Sequence, residues 1–322
     1  MVESTAIPLL LFDSSMSRTA NARQRRFLGR IAAFLHRHPG WYTSLLIGPS
    51  SAVLLFLVAV PTLIILYYSF LTRDATGAVL SIFTLENYAD LWDPRFFWVL
   101  VRSLGLALGT TALCFLVGLP LAYWITMYGG RWKHLLILLI ILPSWTSYLV
   151  RVYAWVFLLR DNGLILNSLE TVGVLGPDHT VKLLFDWPAV LVVMVYSYLD
   201  FMIIPLYAAL NRLDRPTLEA ASDLGAKPLR RLWSVTLPMI RGGILAGSVL
   251  VFVPSIGEFL VPGLMGGNKV NMAGNLLDWA FLQTDNWPLG AAMAMVLTVI
   301  ILTIIFLYLR SAGKQGTLER FS

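Results

Sequence analysis

The segment Asp214-Arg215-Pro216-Thr217-Leu218-Glu219-Ala220-Ala221-Ser222-Asp223-Leu224-Gly225-Ala226-Lys227-Pro228, followed downstream by Leu237-Pro238, is a polar, turn-containing stretch held between two long apolar runs, 189–210 and 242–264. Asp214 can cap exposed amides and Pro216 suits a first helical turn, so a short helix over 217–224 is expected. Gly225 fits the left-handed residue that ends such a helix. Lys227-Pro228 then starts a second helix, which Leu237-Pro238 is expected to stop. The segment 211–240 therefore reads as a helix–turn–helix elbow between two chain segments of membrane-spanning length.

The rest of the chain has the same character. Of its 322 residues, 57% are hydrophobic and 13% charged, and the mean hydropathy is +0.73. A helix needs roughly 20 apolar residues to cross the hydrocarbon of a bilayer. Six runs meet that length: 44–71, 104–127, 135–159, 189–210, 242–264 and 289–309. The class that follows is an all-α membrane protein with six transmembrane helices. Its parts are a basic tail over 1–40, a membrane domain over 41–312 and a short tail over 313–322. Pro61, Pro120, Pro143, Pro205 and Pro254 fall inside the runs and favour kinks.

Charge placement orients the chain and argues against nucleic acid as a partner. The net charge is +6, and 17 of the 24 basic residues lie on one set of alternate loops. They include Arg18, Arg23, Arg25, Arg26, Arg30 and Arg37 before the first run, and Arg212, Arg215, Lys227, Arg230, Arg231 and Arg241 around the elbow. The positive-inside rule puts both termini and the elbow in the cytoplasm. The patch 7–12 lacks a basic region before it and is followed by Asp13, unlike a cleavable leader. The lone Cys114 reads as a small packing residue. Trp92, Trp98, Trp187, Trp279 and Trp287 fall near run ends, as in an aromatic belt.

The Glu-Ala-Ala spelling at 219–221, with Gly225 and Leu237-Pro238, resembles the EAA loop of ABC importer permeases. Over most of the chain the resemblance is closest to permeases of the putrescine/spermidine type. It is carried by Leu142-Pro143-Ser144-Trp145-Thr146-Ser147-Tyr148-Leu149-Val150-Arg151, Ala220-Ala221-Ser222-Asp223-Leu224-Gly225, Pro254-Ser255-Ile256-Gly257-Glu258-Phe259 and Gly266-Gly267. The resemblance implies a type I importer fold with cytoplasmic coupling helices in the inner membrane of a bacterium. It also implies three kinds of partner: a second permease subunit in a heterodimeric pore, two ATP-binding subunits and a periplasmic substrate-binding protein. Glu219, Ala220, Ala221, Asp223, Gly225 and Pro238 become the residues expected to engage the ATPase. An amphipathic helix resting on the bilayer is the structural alternative for the elbow.

No G-x-x-x-x-G-K-[ST] loop occurs, and no H-E-x-x-H or Cys/His cluster points to a metal or to catalysis. The chain is thus expected to bind no cofactor and to be no enzyme. ATP and Mg belong to the partner subunits. Substrate contact is expected from Asp200 and Glu258, the acids within apolar runs, since an intramembrane carboxyl group is costly unless paired or hydrated. Asp200 stands where relatives carry proline or an apolar residue. Either acid can serve an ammonium cargo, or instead pair with Arg151 or a backbone donor. Trp145, Tyr148, Tyr196 and Tyr198 offer aromatic faces to a cation, and Arg151 reads as a gate or ion-pair residue. Importers of an amino-acid derivative, an organophosphonate or ferric iron are the alternatives, with an ATP-independent channel or carrier behind them.

Overall fold

A computed structural model describes residues 39–74, 76–161, 163–172, 184–267 and 269–318, so nearly all of the basic tail lies outside the described residues. The chain divides into two units at Ile64/Ile65. In the first, the described residues are a long apolar helix, α1 (Pro39–Tyr68), which runs on into the second unit for its last turn. None of its most apolar 18-residue window is buried.

The second unit opens with an antiparallel hairpin, β1 (Leu71–Arg73) and β2 (Val79–Phe83), paired Arg73 to Val79 and Thr72 to Leu80. The hairpin departs from the all-helical expectation. Asp74 makes its turn, accepting from the Thr76 hydroxyl at 2.7 Å and from the Thr76 and Ala78 amides. Those bonds, the Thr76 hydroxyl first, lower the pKa of its carboxyl group. After α2 (Glu86–Asp90), Asp93 accepts from the Arg95 amide at 2.8 Å and opens α3 (Pro94–Tyr128).

The third apolar run is not one straight span. It comprises α4 (Lys133–Ile141), a tight turn over Leu142–Trp145 and α5 (Tyr148–Leu159), bent by 91° in all. Thr146 and Ser147 are extended at the break, just after Pro143. The kink that Pro143 favours is found just after it, but hydropathy registers length and apolarity and not direction, so its size was not legible in the sequence. The short α6 (Leu164–Thr171) follows, and then α7 (Trp187–Leu210).

The elbow is α8 (Arg215–Asp223) and α9 (Pro228–Met239), the latter containing a wide turn over Leu232–Thr236. Asp214 does not cap α8 with its side chain; its carbonyl accepts from the Thr217 amide. Leu237-Pro238 falls in the last turn of α9, which ends one residue later at Met239, where the sequence places its stop. The chain bends by 74° at Ile240 and enters α10 (Arg241–Ile256). The fifth apolar run then stops short at Ile256, and its remainder is a separate turn of helix, α11 (Leu260–Met265). The six-residue α12 (Ala273–Asp278), a wide turn over Trp279–Gln283 and α13 (Trp287–Leu318) complete the chain. Among the described residues four helices are long and apolar enough to cross a membrane, or up to six spans if each bent pair is one span. The last helix continues past residue 312, where the sequence reading placed the end of the membrane domain.

The core is the mutual packing of α3, α7 and α10. Small buried residues recur every fourth position on two of these helices: Thr110, Cys114, Gly118 and Ala122 on α3, and Gly243, Gly247, Val251 and Ser255 on α10. Such stripes let helix backbones approach closely where lipid supplies no hydrophobic drive. Cys114 is a fully buried packing residue, with Sγ 3.6 Å from the Val195 carbonyl. A Cβ at Gly247 would lie 2.8 Å from Met202 Sδ and 3.2 Å from the Met202 carbonyl, whereas one at neighbouring Gly242 would meet nothing within 4 Å. Gly247→Val is therefore expected to force α10 off α7 and cost about 1–3 kcal/mol. Thermal unfolding in detergent should show a lowered midpoint for Gly247→Val and an unchanged one for Gly242→Val; equal midpoints would refute the close-packing account.

Candidate functional site

Two buried carboxyl groups engage the breaks in the bundle, Glu258 from within one and Asp200 from the facing helix α7, and they differ in how fully they are used. Glu258 is 5% exposed and lies in the gap between α10 and α11. One oxygen accepts from the Leu260 amide at 2.9 Å and the Val261 amide at 3.3 Å, capping α11. The other accepts from the Tyr148 hydroxyl at 2.6 Å and from that of Tyr198. A carboxylate offers about four acceptor positions. All of them are occupied, which ties α5, α7 and α11 to one point and leaves none for a cargo ammonium. Of the sequence readings, a backbone donor is the one this geometry contains.

Asp200 is 8% exposed in the middle of α7. The Ser144 hydroxyl donates to one oxygen and the Phe201 amide to the other, the latter at 2.9 Å. Two acceptor positions are thus filled and two are open. Ser144 comes from the bend of the third run, so the bond fastens that bend to α7. The sequence contained Ser144 within a quoted stretch but gave no sign of its role, since the bend that aims it at Asp200 is a tertiary feature.

Arg151 pairs with neither acid. Among the described residues the ion pair present is Arg95 with Asp93. Arg151 instead lies over the Tyr148 ring, 5.6 Å from its centroid, with a buried Nε that makes no hydrogen bond. The four aromatic candidates are not brought together. Tyr148 and Tyr198 serve Glu258. Tyr196 packs edge-on against Trp155 at 5.3 Å, and Trp145, beside Ser144, is 71% exposed. Tyr196 and Asp200, four residues apart, share a face of α7, while Tyr198 points to the other side.

The elbow is built from its own termini. Gly225 has φ +81°, its amide bonds the Ser222 carbonyl at 2.9 Å, and the Ala226 amide bonds the Ala221 carbonyl at 3.1 Å. That pair of bonds ends a helix around a left-handed residue. Leu218 is buried beneath α8, while Glu219, Ala220, Asp223 and Gly225 are exposed and Ala221 is half-buried. Leu224, just before the turn, and Leu229, Trp233 and Pro238, beyond it, are also exposed. Arg231 fastens the two arms, donating to the Ser222 hydroxyl at 2.7 Å and reaching Tyr123 of α3 at 3.5 Å. Sequence reasoning missed this strut because a nine-residue separation across a turn matches no helical period.

Known proteins share this organisation. The family described as binding-protein-dependent transport system inner membrane component matches residues 114–313. The spermidine/putrescine transport system permease protein PotB of Escherichia coli K12 is 39% identical over 269 residues, 83% of this chain and 97% of that protein. Its Haemophilus influenzae counterpart is 39% identical over 258 residues, 80% of this chain and 90% of that one. The inner membrane ABC transporter permease protein YdcU of Escherichia coli is 31% identical over 308 residues, covering 91% and 95%. A bacterial ABC transporter involved in the import of the acidic polysaccharide alginate shares the fold, with a TM-score of 0.63 at 18% identity over 88% of this chain and 99% of that one. With several membrane-length helices, an exposed elbow and matches that cover most of its length, the chain belongs to the family of binding-protein-dependent transport system inner membrane components.

Proposed function

We propose that this chain is the permease subunit of an ATP-driven importer of polyamines of the putrescine/spermidine type. The carrying observation is the 39% identity to a spermidine/putrescine permease over 97% of that protein's length. Asp200 supports the same cargo. A buried carboxyl group with two open acceptor positions and no cation within 4.0 Å among the described residues suits an ammonium and opposes an anion. Trp145 and Tyr196 are its aromatic neighbours in the proposed path, and Glu258 holds the frame. Arg151 acts as a gate beside Tyr148.

The proposed cycle is alternating access. A loaded periplasmic binding protein docks on the loops opposite the elbow. ATP, with Mg, closes two partner ATPase subunits. Their motion enters through Glu219, Ala220, Ala221, Asp223, Gly225 and Pro238, with elbow and termini in the cytoplasm. A second, non-identical permease subunit supplies the other half of the pore. The chain itself performs no catalysis.

The test is uptake of radiolabelled putrescine and spermidine in cells lacking other polyamine importers, with this chain and its neighbouring transport genes supplied together. Uptake that needs both this chain and an active ATPase supports the proposal. Uptake of an unrelated solute with none of either polyamine would refute the cargo. Asp200→Asn keeps the Phe201 bond and lets the Ser144 hydroxyl turn to accept from the new amide nitrogen, but removes the charge. It is expected to lower polyamine uptake about tenfold or more while leaving the protein level unchanged.

A further inference from the structure

A second site lies at the far end of α10 from the elbow. A cavity of about 600 Å³ opens there, within the size range of small-molecule pockets. Its walls come from α11, α12 and the wide turn that follows α12. Those walls are held firmly. The Asn275 amide nitrogen donates to the Phe259 carbonyl at 2.8 Å, its oxygen accepts from the Met272 amide at 3.1 Å, and the Ala273 amide bonds the Ser103 hydroxyl at 2.7 Å. A Cβ at Gly274 would lie 2.4 Å from the Gly257 carbonyl, so α12 rests on the backbone of the α10–α11 break.

The lining has a specific chemistry. Among the described residues its one charged side chain is Asp278, and no Lys, Arg or His takes part. The Gln283 amide donates to one Asp278 oxygen at 3.1 Å, and among the described residues the other oxygen has no partner and no cation lies within 4.0 Å. The wide turn makes this wall: the Thr284 amide reaches back five residues to the Trp279 carbonyl at 3.0 Å. Five residues on an ordinary helix end about 140° apart, whereas a turn closed five residues on brings Gln283 back over Asp278. Such turns concentrate at functional sites. Trp279 and Phe259 are 43% and 49% exposed on the lining, and neither ring is engaged by another aromatic or by an arginine among the described residues.

We propose that this cavity binds a primary ammonium group, with Asp278 as counter-charge and Trp279 and Phe259 as aromatic walls. An anion would find no positive partner in it. A neutral solute would leave the carboxylate uncompensated, while a cation gains both the charge-assisted hydrogen bond and the ring faces. The site sits at the opposite end of α10 from the elbow, where cargo would first meet the permease. This assignment rests on the polyamine reading for the identity of the solute, though not for its charge.

The experiment uses the assembled transporter in lipid nanodiscs without binding protein. It titrates putrescine and, as an uncharged molecule of the same length, 1,4-butanediol. Putrescine should bind and butanediol should not. Asp278→Asn, which keeps the Gln283 bond possible, should weaken putrescine binding about tenfold or more, and Asp278→Glu should restore most of it. Affinity for the unloaded binding protein is measured in parallel. If Asp278→Asn lowers that affinity and leaves putrescine binding intact, the ammonium the site accepts is a lysine of the docked protein, and the free-solute assignment is overturned. Equal binding of putrescine by wild type and Asp278→Asn, or binding of butanediol as tight as that of putrescine, also overturns it. Wild-type putrescine binding lost in Asp278→Asn, with no polyamine uptake in cells, would sink the cargo proposal alone and leave the ammonium site standing.

Discussion

Gly225→Val is expected to lower uptake about tenfold or more while the membrane helices stay folded. Gly225 is exposed, and a Cβ placed on it would meet nothing within 4 Å. Crowding therefore plays no part. The cost comes from the backbone: φ is +81°, a region that β-branched residues avoid, at about 1–3 kcal/mol. The cheapest relief is to give up the Gly225–Ser222 and Ala226–Ala221 bonds that close α8. The angle between α8 and α9 is then no longer set, and the strut from Arg231 to Ser222 loses its register. A partner that grips the exposed face of α8 would find it mispositioned. Transport should fall at least about tenfold, since each 1.4 kcal/mol of misplacement is a factor of ten. Membrane abundance should stay near the wild-type level. Gly225→Asn is the discriminating companion, because asparagine tolerates the left-handed region and should retain most activity. Uptake and ATPase co-purification by Gly225→Val at wild-type levels would show that the elbow angle is not used for coupling.

Glu258→Ala should have the larger effect on stability. Four donors converge on this side chain: the Leu260 and Val261 amides and the Tyr148 and Tyr198 hydroxyls. Removing it strands them where little water can replace the acceptor. An unsatisfied buried polar group costs about 1–3 kcal/mol, so the loss should reach several kcal/mol and lower the thermal midpoint by about 5–10 °C. Glu258→Gln separates the two halves of the network. Its amide oxygen still serves the two backbone amides, but its nitrogen cannot accept from two hydroxyls. An intermediate midpoint is expected, and adding Tyr148→Phe with Tyr198→Phe to Glu258→Gln should change it little further. A Glu258→Ala midpoint equal to wild type, with uptake lost, would instead put Glu258 in contact with cargo.

Membrane class and the elbow were legible in the sequence because each has a local cause. A long apolar run has one cheap environment. Proline and glycine restrict their own φ. Gly225 took the left-handed conformation that the sequence reading assigned it, while the details that depend on neighbours did not follow. A wide turn interrupts the second helix before Pro238, and Asp214 leaves its side-chain capping bond unmade.

The sequence by itself determined what is local: the apolar lengths, the bias of positive charge to alternate loops, the turn at Gly225 and the presence of acids within apolar runs. Only the tertiary structure decided how those acids differ. Asp200 and Glu258 look alike in sequence, yet one has two acceptor positions filled and the other has four. The physical reason is that saturation of a carboxyl group depends on donors brought in from elsewhere in the chain. The bends after Pro143 and at Ile256 deliver those donors, and hydropathy carries no record of direction.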